Sequence, residues 1–316
     1  MRHYSAVRPL RAPYDDGIPH AVEPARPWDP RRWATEDMTP AREVLARCSL
    51  CIPSARGLYQ DTQFNVFTLA ANGARIHQIG GSNIAYLRNT LTADFLCDDV
   101  RDWSLWVDDD VSAPQGPLVW LEWAAQAFER FPEGDAIVTG LYAVKAAGRR
   151  AFAGCFVEPS VPLGEGVGGY HRADWAGGGA VLVHRRAWRA MADHLGIPGE
   201  GRCRYHGSRG EVWFGPRVWR NGAHEEGDLD PVYPDRHVIE EDGEDVGLSA
   251  VARAAGIPIY TDTRLVLDHR GAHSFRWEDA LAPVVPRQRA LELAAPSMSI
   301  AHFQAAAPEP QEGSAS

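Results

Sequence analysis

Between residues 48 and 144, short apolar runs alternate with helix-length amphipathic stretches, and this alternation restricts the fold more than any other feature of the chain. Cys48–Pro53 reads as a buried strand that stops at proline, and Leu58–Asn72 as a helix with Gly73 just past its end. Arg75–Ile79 reads as a short strand closed by Gly80-Gly81, and Asn83–Leu96 as a second helix. Ser104–Val107 is an apolar strand, Pro117–Phe131 a third helix and Ala136–Val144 a further strand. Strands joined through helices are strands joined by crossovers. The expected fold is therefore α/β, with a Rossmann-like, mainly parallel sheet and helices on both faces.

The second half is less regular. Ala151–Val157 and Ala180–His184 read as strands, Arg186–Leu195 as a helix, Asp245–Ala255 as a helix closed by Gly256, and Ile257–Tyr260 and Leu265–Leu267 as closing strands. Residues 196–241 are rich in Gly, Arg, His and acids and carry little periodicity, which suits a functional insert or lid. Residues 1–45, rich in Pro and Arg, read as an arm that wraps the body or stays partly disordered. The organisation expected is an arm over 1–45, a catalytic domain over 46–280 and a partly disordered tail over 281–316.

Charge and cysteine usage narrow the class. The 42 acidic residues outnumber the 32 Lys and Arg, giving a net charge of −10, which disfavours a sequence-independent grip on nucleic acid phosphates. No run approaches the roughly 18 apolar residues of a membrane span, and no secretory signal is visible, so a cytoplasmic protein is expected. The five cysteines are odd in number and scattered. Cys48 and Cys51 lie in an apolar strand without a second pair, which favours buried thiols over a zinc site.

Three clusters carry candidate chemistry. The strongest is Leu105-Trp106-Val107-Asp108-Asp109-Asp110, an apolar strand that delivers three carboxylates at its C-terminal end. That edge is where open α/β sheets bind ligands. Adjacent carboxylates repel, and Mg²⁺ or Mn²⁺, which prefer oxygen ligands, relieve the repulsion while bridging to a diphosphate. The competing reading is a cap and first-turn acids for the helix near Pro117. The second cluster, Glu244-Asp245, opens a helix and is either an N-cap or a general base for an acceptor hydroxyl. The third is His269, after Leu265-Val266-Leu267-Asp268, either a structural strand-end histidine or a ligand that completes a carboxylate metal site. Gly177-Gly178-Gly179 either lets backbone pack closely or borders a substrate.

In this order, these pieces resemble the GT-A fold glycosyltransferases, particularly the family-2-like group, over roughly residues 48–273. Cys51-Ile52-Pro53-Ser54 looks like the first strand and the loop that meets the nucleobase. Ile84-Ala85-Tyr86-Leu87-Arg88-Asn89 is similar to the Arg-Asn helix near the nucleotide, and Asp108-Asp109-Asp110 to the Asp-x-Asp metal motif. Trp175-Ala176-Gly177-Gly178-Gly179-Ala180 is similar to the glycine-rich strand beside donor sugar and acceptor, and Glu244-Asp245-Val246 to the Glu-Asp motif. His269 stands where several members have a third metal ligand.

The resemblance implies transfer of a sugar from a nucleotide-diphosphate donor, a UDP-sugar foremost, to an acceptor hydroxyl. It implies Mn²⁺ or Mg²⁺ on Asp108, Asp110 and His269, with Asp245 as the base of an inverting reaction and Glu244 beside it. Donor contacts would come from Pro53, Ser54, Arg88, Asp108, Asp109 and Gly178, and acceptor contacts from Trp175 and Gly179. The acceptor itself stays open among a glycan, a protein hydroxyl, a metabolite and a hydroxylated DNA base. The same acids around Mg²⁺ would also serve a nucleotidyltransferase or phosphohydrolase, and a third reading is a non-catalytic nucleotide-sugar-binding protein.

Overall fold

The computed structural model describes residues 16–35, 37–54, 58, 60–81, 84–97, 101–142, 154–157, 161–163, 168–195 and 244–269, with the backbone of 217–220 and 239–242. In chain order these form β1 (Ala21–Val22), a 3-10 turn (Pro30–Trp33), α1 (Thr39–Ala46), β2 (Cys48–Ser54), α2 (Gln60–Ala71) and β3 (Arg75–Gly80). Then come α3 (Ile84–Cys97), β4 (Trp103–Val107), β5 (Val111–Ser112), α4 (Leu118–Arg130), β6 (Ile137–Tyr142) and β7 (Gly154–Phe156). The last are β8 (Tyr170–Ala176), β9 (Ala180–His184), α5 (Arg185–His194), β10 (Arg217–Arg220), β11 (Ile239–Asp242), α6 (Glu244–Ala254) and β12 (Ile259–His269).

Ten strands form one sheet with the order β1-β8-β12-β6-β9-β4-β2-β3, with β5 added to β12 and β7 to β8. The α/β class expected from the sequence is present, but the sheet is mixed rather than mainly parallel. β2 runs parallel to β3 and β4, and β6 parallel to β12. Strand β9 inserts antiparallel between β4 and β6, and β8 lies antiparallel to β12. The alternation over 48–144 predicts the parallel half correctly. It says nothing about β9, which reaches its neighbours through long-range pairing that no local period records.

Two apolar layers cover the sheet. In β4, Trp103, Leu105 and Val107 enter one layer and Trp106 the other, as the two-residue period of a strand requires. The first layer takes in Leu45, Val66, Leu69, Trp120, Trp123 and Phe128; the second takes in Leu91, Phe95, Trp188, Met191, Leu248 and Val251. Ser104 sits on the second face and accepts the indole N–H groups of both Trp106 and Trp188 at 3.1 and 2.8 Å. Cys48 and Cys51 are buried free thiols in β2, and burial pushes Cys48 up to about 12.

The closing segments expected at 257–260 and 265–267 are one strand, β12, whose pairing with β6 shifts register between Thr261 and Val266. The segment 196–241, expected to lack elements, contains β10 and the start of β11, paired antiparallel; 196–216 and 221–238 lie outside the described residues. The arm does wrap the body over its described part. Val22 pairs with Tyr170, and Arg172 N–H donates to the His20 carbonyl at 2.7 Å. The C-terminal tail lies outside the described residues. No helix among them is long and apolar enough to cross a membrane.

Candidate active site at the strand ends

Strand β4 ends at Val107, and the chain turns at once, with Val111 N–H donating to the Asp108 carbonyl at 3.2 Å. It then runs two residues as β5 against the end of β12, with Val111 opposite His269 and Ser112 opposite Asp268. This register decides the site. It sets His269 Nε2 3.2 Å from Asp110 Oδ1, joining residues that lie far apart in the chain. The acids are not a helix cap: α4 begins at Leu118 after Pro117, with no side chain capping it.

Arg88 projects from α3 into the same place and is 2% exposed. One guanidinium nitrogen donates to both oxygens of Asp108 at 2.9 Å, and the other donates to Asp245 Oδ1 at 2.7 Å. Asp245 lies in the first turn of α6 with Glu244 beside it. Asp109 accepts from the Ser54 hydroxyl, at the end of β2, at 3.1 Å. Pro53 is buried one residue earlier in that strand.

The glycine run lets these groups close up. A Cβ on Gly178 would fall 1.5 Å from an Arg88 guanidinium nitrogen and 2.4 Å from Asp245 Oδ1. On Gly179 it would fall 2.9 Å from the Tyr142 ring and from Val111. Both are therefore close-packing glycines. Trp175 is partly buried on β8, opposite Cys155 of β7.

The sequence reading missed Tyr142. It ends β6, accepts the Gly179 N–H on its hydroxyl at 3.1 Å, and turns its ring edge to His269 at 5.1 Å. Its position at the carboxyl end of a core strand was the available signal. Burial, then Asp245 and Asp108, push its phenol well above the usual range.

Acidic side chains crowd together here. Burial pushes the Asp108 carboxyl up to about 7; Arg88 pulls against this, while Asp245, Asp110 and Asp109 push with it. Burial and then Asp245 raise Glu244, and Arg88 again opposes. Arg88 itself is pushed up by Asp108 and Asp245 against the effect of its own burial. Among the described residues, Arg88 pairs with Asp108 and Asp245, Asp110 with His269, and Asp109 with Ser54.

Among the described residues no group of three or more His, Cys, Asp or Glu side chains is arranged to hold a metal. The pair Asp110 and His269 fits part of such a site. Adjacent ligands of an octahedral ion with bonds of about 2.1 Å stand roughly 3 Å apart, close to the separation seen here. Asp108 has both oxygens on Arg88.

Fold and site together define an α/β protein with an acid-rich cluster at its strand ends. No protein-family profile matches the chain, and no curated protein sequence matches it. Among solved structures the chain is similar to A197 from STIV, at 14% identity and a TM-score of 0.42, over 76% of this chain and 99% of that one.

Proposed function

We propose that this protein is a metal-dependent glycosyltransferase of the GT-A type that transfers a sugar from a nucleotide-diphosphate donor to an acceptor hydroxyl. The observation that carries this reading is the convergence at one edge of the sheet. The pair Asp110 and His269, proposed to ligate the metal, stands with a second acidic group, Asp108 and Asp245, held across Arg88. Residues from β4, α3, α6 and β12 build it, as expected if one ligand spans them.

Asp110 and His269 would hold Mn²⁺ or Mg²⁺, with diphosphate oxygens and water completing the shell. Held there, the ion would supply positive charge against the diphosphate. Asp109, tied to Ser54, lies on the side of the first strand where the nucleoside is expected. Asp245 is 26% exposed and Arg88 holds one of its oxygens, so its carboxylate is oriented yet open to an acceptor. It takes the hydroxyl proton as that oxygen attacks the anomeric carbon, and the bond to the diphosphate breaks on the opposite face. The nucleotide is a UDP-sugar foremost, and the acceptor is a hydroxyl compound whose class this site leaves open.

Incubation with a panel of nucleotide sugars and Mn²⁺ tests the proposal. Slow release of nucleoside diphosphate supports it. Release of nucleoside monophosphate or pyrophosphate instead would identify a phosphohydrolase or nucleotidyltransferase. Binding without any release would identify a nucleotide-sugar-binding protein.

A further inference from the structure

Arg88 sits on α3, Asp108 at the end of β4, and Asp245 at the start of α6. Helix α3 packs on β2 and β3, while α6 packs on β8 and α5. The guanidinium is a polar link between these two halves at the site. It spends three N–H···O contacts of 2.7–2.9 Å on the two acids. Its flank is closed by Gly178, where even a methyl group would overlap it. A guanidinium so enclosed and so committed does not present its fork to an incoming phosphate. The role implied by the family resemblance, a donor contact, is therefore not the role this geometry favours.

We infer that Arg88 is a positioning residue: its guanidinium ties the donor-side acid Asp108 to the proposed base Asp245, and Gly178 reserves the space that this link needs. The inference rests on the glycosyltransferase reading for the word base, but not for the link itself. Two consequences follow. First, Arg88 fixes the Asp245 carboxylate against the acceptor, so its loss lowers the rate of the bound complex more than donor affinity. Second, Arg88 acts as an internal cation that withholds Asp108 from any metal. Removing it frees a carboxylate 2.9 Å from the vacated nitrogen, beside Asp110, and the site then binds a divalent ion more tightly.

A lysine in its place supplies the charge as a point, without the planar fork that spans two carboxylates. Gly178→Ala keeps Arg88 but forces the guanidinium aside, because the added carbon would sit 1.5 Å from its nitrogen.

The test measures two quantities on Arg88→Met, Arg88→Lys and Gly178→Ala: Mn²⁺ affinity of the unliganded protein by calorimetry, and kcat with KM for a turned-over nucleotide sugar. Arg88→Met is expected to tighten Mn²⁺ on the order of tenfold. It is expected to lower kcat about 100-fold with KM changed less than about threefold. Arg88→Lys should leave Mn²⁺ affinity near wild type while kcat stays depressed. Arg88→Met in an Asp245→Asn background should be no slower than Asp245→Asn alone, within about threefold.

A rise in KM with kcat intact would make Arg88 a donor ligand and overturn the inference. Unchanged Mn²⁺ affinity with multiplicative kcat losses would make it a structural staple. If Arg88→Met does not fold, Gly178→Ala and Arg88→Lys decide on the same readouts. If wild type turns over no nucleotide sugar, the glycosyltransferase reading falls, and the direction of the Mn²⁺ shift alone decides the role of Arg88.

Discussion

Two regions of the molecule, among the described residues, hold their acids in different ways. On the outer side of α4, the Glu122 side chain is fully buried beneath the N-terminal arm. Arg26, Arg32, the Asp29 N–H, the Trp33 indole and the Gln126 amide all donate to it. Burial alone would push this carboxyl up; Arg26, Gln126, Asp29 and Trp33 overcome burial and hold it below the usual range. At the strand ends Arg88 lies between two acids, Asp108 and Asp245, and burial pushes the Asp108 carboxyl up to about 7. An acid whose donors match it is a staple, satisfied within the fold. An acid whose donors do not offset its burial is the kind found at functional sites, so the second region is the one proposed to take a ligand.

Substitutions can break this comparison. Asp110→Ala has the largest expected effect: turnover falls by about 1000-fold or more, and Mn²⁺-dependent nucleotide binding is lost. Calorimetry with nucleotide and Mn²⁺ checks it, and unchanged affinity would remove Asp110 from the site.

Asp245→Asn should retain donor binding and lose transfer by about 100- to 10,000-fold, the range for a missing general base. Near-normal single-turnover rates would reduce Asp245 to a first-turn helix residue.

Glu122→Gln probes the balanced region and should behave in the opposite way. It should cost about 1.5–3 kcal/mol of stability, through loss of charge-assisted hydrogen bonds, and leave turnover per folded molecule unchanged. The pH dependence has a defined sign. The folded value of Glu122 lies below its unfolded value of about 4.3, so its contribution is complete above that pH. The contribution is then lost as pH falls through the folded value. Melting curves between pH 7 and 3.5 should fall less steeply for the variant than for wild type. Parallel curves would show that the arm does not depend on this carboxylate.

His269→Ala has the smallest expected effect. It should raise the Mn²⁺ concentration for half-maximal activity on the order of tenfold, because water and diphosphate oxygens can fill one vacated position. Lost thermal stability with unchanged metal dependence would instead make His269 a strand-end residue packed on Tyr142.

The sequence by itself determined the elements whose signal is local. Apart from the two-residue strand β5, which the pattern does not show, the strand and helix positions from Cys48 to Tyr142 follow from apolar period, proline and glycine, and their boundaries agree with the structure to within a few residues. It also placed Asp108, Asp109 and Asp110 at a strand end and Glu244 and Asp245 at a helix start, because both positions are one-dimensional facts. The tertiary structure alone decided the rest. The antiparallel insertion of β9 made the sheet mixed, and strand pairing across the chain leaves no period to read. The arm covers Glu122 of α4 through donors about 90 residues away in sequence, a docking that no local pattern records. The family resemblance makes Arg88 a donor contact. Its burial between Asp108 and Asp245 required three elements to meet beside a glycine, and which charges neutralise one another is settled only when the chain has folded.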